Sequence, residues 1–166
     1  MALDKFSLPN RIVSQGDVAR VKRELHSLND YLDQAQLRKT GSAMERLPKT
    51  SRGLDDFVTD NTLNLVNEQD RYAAISFFDE LADKAPVVHV SFAVDPSANF
   101  IIKITGWFRE NIDRLVLVNI GLEPTIAAGC TVRTDNHLYD FSLRSHFDKQ
   151  RQLLISKIKG EPTKAP

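Results

Sequence analysis

A single cysteine, Cys130, in 166 residues excludes an intrachain disulfide and a thiolate zinc cage. The four histidines, His26, His89, His137 and His146, are dispersed without HxxxH spacing, so no metal site is expected. Seven glycines are scattered, and none falls in a phosphate-cradling loop or a dinucleotide fingerprint. Lysine plus arginine balances aspartate plus glutamate at 22 each, so the bulk charge gives no reason to expect nucleic acid. No apolar run approaches the ~20 residues needed to span a bilayer. The opening MALDKFSLPNR lacks the apolar core of a signal peptide, which makes a cytosolic protein the expectation. What is present is ordinary: 42% hydrophobic and 27% charged residues, enough for one cored domain, or for one with a smaller helical partner.

The pattern predicts an α+β chain, with an N-terminal α-helical segment followed by a small βαββα domain carrying a mixed sheet. Residues 1–86 form the helical region, with helices near 14–38, 51–61 and 67–84. Residues 1–13 read as a loose lead-in. Ser14 three residues before Asp17 is a capping pattern with the shorter acid. Val18, Val21, Leu25, Leu28, Leu32 and Ala35 then repeat at spacings of three and four, a short heptad seam. It can pack on the chain's own helices or pair with another chain. Residues 39–53 read as a polar connector. The second helix starts near Ser51 and carries Leu54, Phe57 and Val58. Asn67 caps the third, whose apolar face is Tyr72, Ile75, Phe78 and Leu81. Pro86 ends it, because the residue before proline avoids the helical region.

At Val87 the period changes from 3.6 to 2. Val88, Val90, Phe92 and Val94 share one strand face, with His89 and Ser91 on the other. Asp95-Pro96 reads as a helix start. Phe100, Ile101, Ile104, Trp107, Phe108 and Ile112 give the next helix a wide apolar stripe; Trp107 reads as core, with a partner anchor as the second reading. Leu115–Ile120 is apolar on both faces, a central strand. Strand, helix and strand within about 30 residues form a parallel βαβ unit. The domain is expected to run over 87–159, ending in a helix from about Ser142 with Leu143, Phe147, Leu154, Ile155 and Ile158 apolar. Its polar side is basic, with Arg144, Lys149, Arg151, Lys157 and Lys159 against Asp148. Residues 160–166 read as a frayed tail.

The segment Gly121–Ser142, GLEPTIAAGCTVRTDNHLYDFS, carries the most information. Pro124 suits the approach to a strand. From Ile126, the small Ala127, Ala128 and Gly129 predict a strand with another backbone or helix close against it. Asp135-Asn136 is a hairpin-turn signal. Asp140 and Ser142 offer capping oxygens to the last helix. Catalytic readings are outweighed: Cys130 with His89 or His137 as base is better read as a small buried strand residue. Asp140, Ser142 and His146 look like a triad, but Asp and Ser just before a helix are what capping requires.

This ordered motif resembles the C-terminal element of the delta subunit of the rotary F-type ATP synthase. The matching positions are Glu123, Ile126, Ala128-Gly129, Val132-Arg133, and Asp140 with Ser142. The likeness covers about residues 87–158. Cys130 and Asp135 depart mildly from it. The first half departs more, with three helices expected where the family has a six-helix bundle. The resemblance implies a non-catalytic, cofactor-free stator subunit at the cytoplasmic side of the membrane. It would link the catalytic head, through the alpha-subunit N-termini, to the C-terminal ends of the peripheral-stalk b subunits. Phe147, Leu154 and Ile158, with Val18, Val21, Leu25 and Leu28, are the candidate partner-binding residues. The alternative is a stand-alone helical adaptor or regulatory interaction module without catalytic activity.

Overall fold

The computed structural model describes residues 5–37, 48–126, 128–134 and 136–159, without the side chains of 145, 146, 149, 152–154, 156 and 157. The expected tail, most of the connector, Ala127, Asp135 and the Leu154 side chain therefore lie outside the described residues. The elements are α1 (Gln15–Leu37), α2 (Arg52–Asp60), α3 (Glu68–Lys84), β1 (Val87–Phe92), α4 (Ala98–Asn111), β2 (Leu117–Leu122), β3 (Cys130–Arg133), β4 (Leu138–Asp140) and α5 (Leu143–Ile158). The chain is α+β, with helices followed by a four-stranded mixed sheet.

These elements fold as two compact units. One comprises residues 1–86 and 98–118; the other comprises 87–97 and 119–166. The sequence placed a boundary at 86/87, but α4 and the start of β2 belong with the N-terminal helices. The cause is a set of bonds to the lead-in. Arg109 on α4 donates to the carbonyls of Leu8, Pro9 and Ile12 at 3.1, 2.7 and 2.6 Å. Val118 N–H donates to the Val13 carbonyl at 2.8 Å. The lead-in is accordingly not loose: Phe6, Leu8, Ile12 and Val13 are all buried.

In this helical unit, Ser14 and Asp17 cap α1 reciprocally. The Ser14 hydroxyl accepts from Asp17 N–H at 3.2 Å, and the Asp17 carboxylate accepts from Ser14 N–H at 3.0 Å. Val18, Val21, Leu25 and Leu28 are buried, and α1 packs on α3 and α2. The seam is internal, so these four residues are removed from the candidate partner surface. Each contributes about 1.5–3 kcal/mol by leaving water. Asn67 caps α3, as expected, and Ser51, near which α2 was expected to start, caps that helix. The core is an aromatic box. Phe6 meets Phe57 and Phe77 edge-on at 5.7 and 5.5 Å between centroids, and Phe78 meets Phe57 at 4.8 Å. The α3 stripe is shifted from the expected one: Tyr72 is half exposed, while Arg71 and Phe77 are buried. Arg71 escapes the cost of burial by donating to Asn29 Oδ1 at 2.7 Å, to Asp33 at 3.3 Å, and to the Leu65 and Val66 carbonyls.

Two local features depart from the sequence reading. Helix α4 begins at Ala98, not at Asp95-Pro96, and its stripe is narrower than expected. Phe108 is buried, whereas Phe100, Trp107 and Ile112 are about half exposed, which corrects the reading of Trp107 as core. Helix α2 ends in a Schellman motif, with Leu63 N–H on the Val58 carbonyl and Thr62 N–H on that of Thr59. Thr62 occupies the left-handed position, at φ 51, where glycine is usual.

In the second unit the strand order is β2-β1-β3-β4. Leu117 N–H bonds the Pro86 carbonyl, and Glu123 N–H bonds that of Phe92. Six residues on each strand advance together, so β1 and β2 are parallel, as the sequence predicted. β3 is antiparallel to β1, with Val90 opposite Val132, and β4 is antiparallel to β3, with Val132 opposite Tyr139. The face holding Val88, Val90 and Phe92 is buried. Val94 lies past the end of β1 and is exposed, against expectation.

Candidate partner-binding element

Four residues of the Gly121–Ser142 motif, Ala128, Gly129, Asp140 and Ser142, meet at one backbone crossing. Glu123 is exposed, and its carbonyl accepts from Ile126 N–H at 3.1 Å. Pro124–Ile126 is a 3-10 turn, not the start of a strand; Pro124 fixes the first φ of the turn, and β3 begins only at Cys130. Ile126 is the buried plug of this turn.

Ala128 and Gly129 then make room for the chain returning from β4. Gly129 has φ +93, a conformation in which a Cβ is strained. A Cβ there would also collide with the Phe141 carbonyl oxygen and lie 3.1 Å from Ser142 Cα. The close neighbour inferred from the small residues is thus the backbone at Phe141–Ser142. Leu143 N–H, at the head of α5, donates to the Ala128 carbonyl at 2.9 Å, and Phe141 N–H donates to that of Cys130 at 3.0 Å. Asp140 Oδ1 accepts from Ser142 N–H at 2.8 Å, turning the chain into the helix, and Ser142 is buried. Ala128, Gly129, Asp140 and Ser142 therefore act together to aim α5. Val132 is half-buried between Val90 and Tyr139, while Arg133 is exposed opposite His89 and Leu138. The hairpin closes through Thr134 N–H on the His137 carbonyl at 2.9 Å. Burial pushes the Cys130 thiol pKa up, which is the wrong direction for a nucleophile.

Among the described side chains of helix α5, the large apolar ones lie in water. Phe147 is 66% exposed and Ile158 77%, and Leu143 and Ile155 are also exposed. Upstream, Leu138, Tyr139 and Phe141 are exposed too, with the Tyr139 and Phe141 rings stacked at 6.4 Å. Sequence reasoning missed these two aromatics. Their alternation at i and i+2 was the available signal, and it places them on one side of the strand. Single exposed apolar residues need no explanation, but five large ones between 138 and 147 form a candidate interaction surface. Among the described residues no group of three or more histidine, cysteine or acidic side chains could hold a metal ion, and no helix is long and apolar enough to cross a membrane.

No protein-family model matches the chain, and no curated protein matches it significantly by sequence.

Proposed function

We propose that this chain is a delta-like stator subunit of a rotary F-type ATP synthase, a non-catalytic tie between the catalytic head and the C-terminal ends of the b subunits. The observation that carries the reading is the crossing at Gly129. Ala128, Gly129, Asp140 and Ser142, four of the motif positions on which the family resemblance rests, form one device, and that device leads into a helix with exposed apolar side chains. A tie under torque needs apolar anchors seated in a packed interface, since an exposed ion pair contributes only about 0–1 kcal/mol. Phe147 and Ile158 are anchors of that kind, and Arg144 and Arg151 favour an acidic amphipathic partner helix. In this reading the sheet unit holds the stalk and the helical unit faces the alpha-subunit N-termini. Localisation follows from the complex: the cytoplasmic side, peripheral to the membrane.

The test is titration calorimetry of the full chain with a soluble peptide spanning the C-terminal end of b. Binding by the wild-type chain, lost in Phe147→Ser with unchanged circular dichroism, is expected. If neither b nor alpha segments bind, the stator reading fails and the adaptor alternative gains.

A further inference from the structure

Helix α4 lies wholly within the helical unit and buries Thr105, Gly106 and Phe108. Trp107, the only tryptophan in the chain, stands on its other side and is 56% exposed. Tryptophan is among the residues most enriched as anchors of protein interfaces. The groups around this one are ordered by sign. At about 100° per residue, Lys103 and Glu110 fall to one side of Trp107, and Ile104 and Asn111 fall to the other. Along the axis, Lys103 stands about 6 Å before Trp107 and Glu110 about 4.5 Å beyond it. Both charged side chains are exposed, and among the described residues neither is in an ion pair.

This pattern is self-complementary. When two α4 helices lie antiparallel about a two-fold axis near Trp107, each edge of one helix meets the same edge of the other with its direction reversed. The two Trp107 rings then meet at the centre. Lys103 of each copy faces Glu110 of the other, at equal distances on either side of the axis. Ile104 of each copy lies beside Asn111 of the other and flanks the rings on the opposite edge. A parallel pair would instead set Lys103 against Lys103 and Glu110 against Glu110, and like charges disfavour it. We propose that α4 is a docking face for a second copy of this chain, in an antiparallel two-fold dimer with Trp107 at its centre. Charge specifies the occupant. The face calls for an apolar centre flanked by glutamate and lysine in reversed order at a seven-residue spacing, and α4 itself supplies that. A helix of 14 residues is only about 21 Å long, so the contact is small and the dimer weak and concentration-dependent. The proposal does not rest on the stator reading, because it concerns the helical unit and its test uses no other chain.

The test follows the full chain by sedimentation velocity and by Trp107 emission from ~10 µM to ~1 mM, the range that a small interface requires. Dimer mass should build up with concentration, and the emission maximum should move to shorter wavelength as the single tryptophan leaves water. Lys103→Glu and Glu110→Lys should each weaken self-association by about tenfold or more, because each turns both ion pairs of the dimer into like-charge pairs. An equimolar mixture of the two variants should restore dimerisation, since each supplies the sign that the other lacks. Trp107→Ser should abolish it. All three residues are exposed, so the fold is expected to survive, with circular dichroism as the check. Monomer mass across the whole range, single variants that associate as the wild type does, or a mixture that shows no rescue overturns the proposal.

Discussion

The helical unit builds its core from a cluster of phenylalanines, and the sheet unit does not. Four of the nine phenylalanines, Phe6, Phe57, Phe77 and Phe78, pack on one another in the helical unit and are buried. In the sheet unit Phe92 is buried, but Phe141 and Phe147 face water beside Tyr139. The first unit closes this aromatic core with its own side chains, while Tyr72, Phe100 and Trp107 stay about half exposed outside it. The second uses the β1 face as its core, and its described apolar side chains on β4 and α5 are exposed. Stability should therefore be concentrated in the first unit and binding in the second, and substitutions can separate the two.

The largest effect is expected at Phe77, which is fully buried in the aromatic box. Phe77→Ala should cost about 3–5 kcal/mol, read by urea unfolding with amide exchange reporting the helical unit. A loss below ~1 kcal/mol would mean that the box is not the core. Next is Arg71→Met, expected to cost about 2–3 kcal/mol through lost charge-assisted hydrogen bonds that tie α3 to α1. In the second unit, Gly129→Ala should cost on the order of 1–3 kcal/mol from its positive φ, with the clash at Phe141 adding to it. Faster amide exchange at the head of α5 should report that loss. Thr62→Gly should have the opposite sign, stabilising by ~1 kcal/mol as it relieves a β-branched residue in the left-handed region. Phe147→Ser and Ile158→Ser should leave unfolding within about 0.5 kcal/mol of wild type while abolishing partner binding. If they destabilise instead, α5 is covered from within and the comparison between the units collapses.

The smallest effect concerns Lys22, whose pKa is raised by its 2.7 Å pairing with Asp79. The stabilisation is complete below the ordinary lysine pKa of 10.5 and is lost as pH rises through the higher folded value. Lys22→Met should therefore remove that small stabilisation at pH 7 and flatten the alkaline limb of the stability profile, read by urea unfolding as a function of pH.

Local chemistry was readable wherever a residue acts on its own neighbours. Ser14 with Asp17 and Asn67 cap the helices they were expected to cap, α2 starts beside Ser51, and Pro86 follows the end of α3. The two-residue alternation of β1 and its parallel pairing with β2 were also legible. What escaped was set by tertiary packing. Phe6, Leu8, Ile12 and Val13 follow no period because their segment is neither helix nor strand; their backbone is held by Arg109, about a hundred residues away. The same clamp draws α4 to the helices, so a boundary placed by the change of period fell in the wrong place. At the candidate site, the small residues correctly indicated a close neighbour. The identity of that neighbour, the backbone at Phe141–Ser142, depends on a turn that composition does not encode. The heptad seam was ambiguous because an internal helix contact and an intermolecular one need the same stripe.

The alternation of the chain between its units constrains how the protein can be made. During synthesis the ribosome releases α1, α2 and α3 first, yet the helical unit is complete only when residues 98–118 have followed. Strand β1 emerges before that, and its partner β3 comes about forty residues later. The nascent chain must carry an apolar strand, VVHVSF, without its β3 partner through the closure of the helical unit, so the first half can finish while the second still waits for its strands.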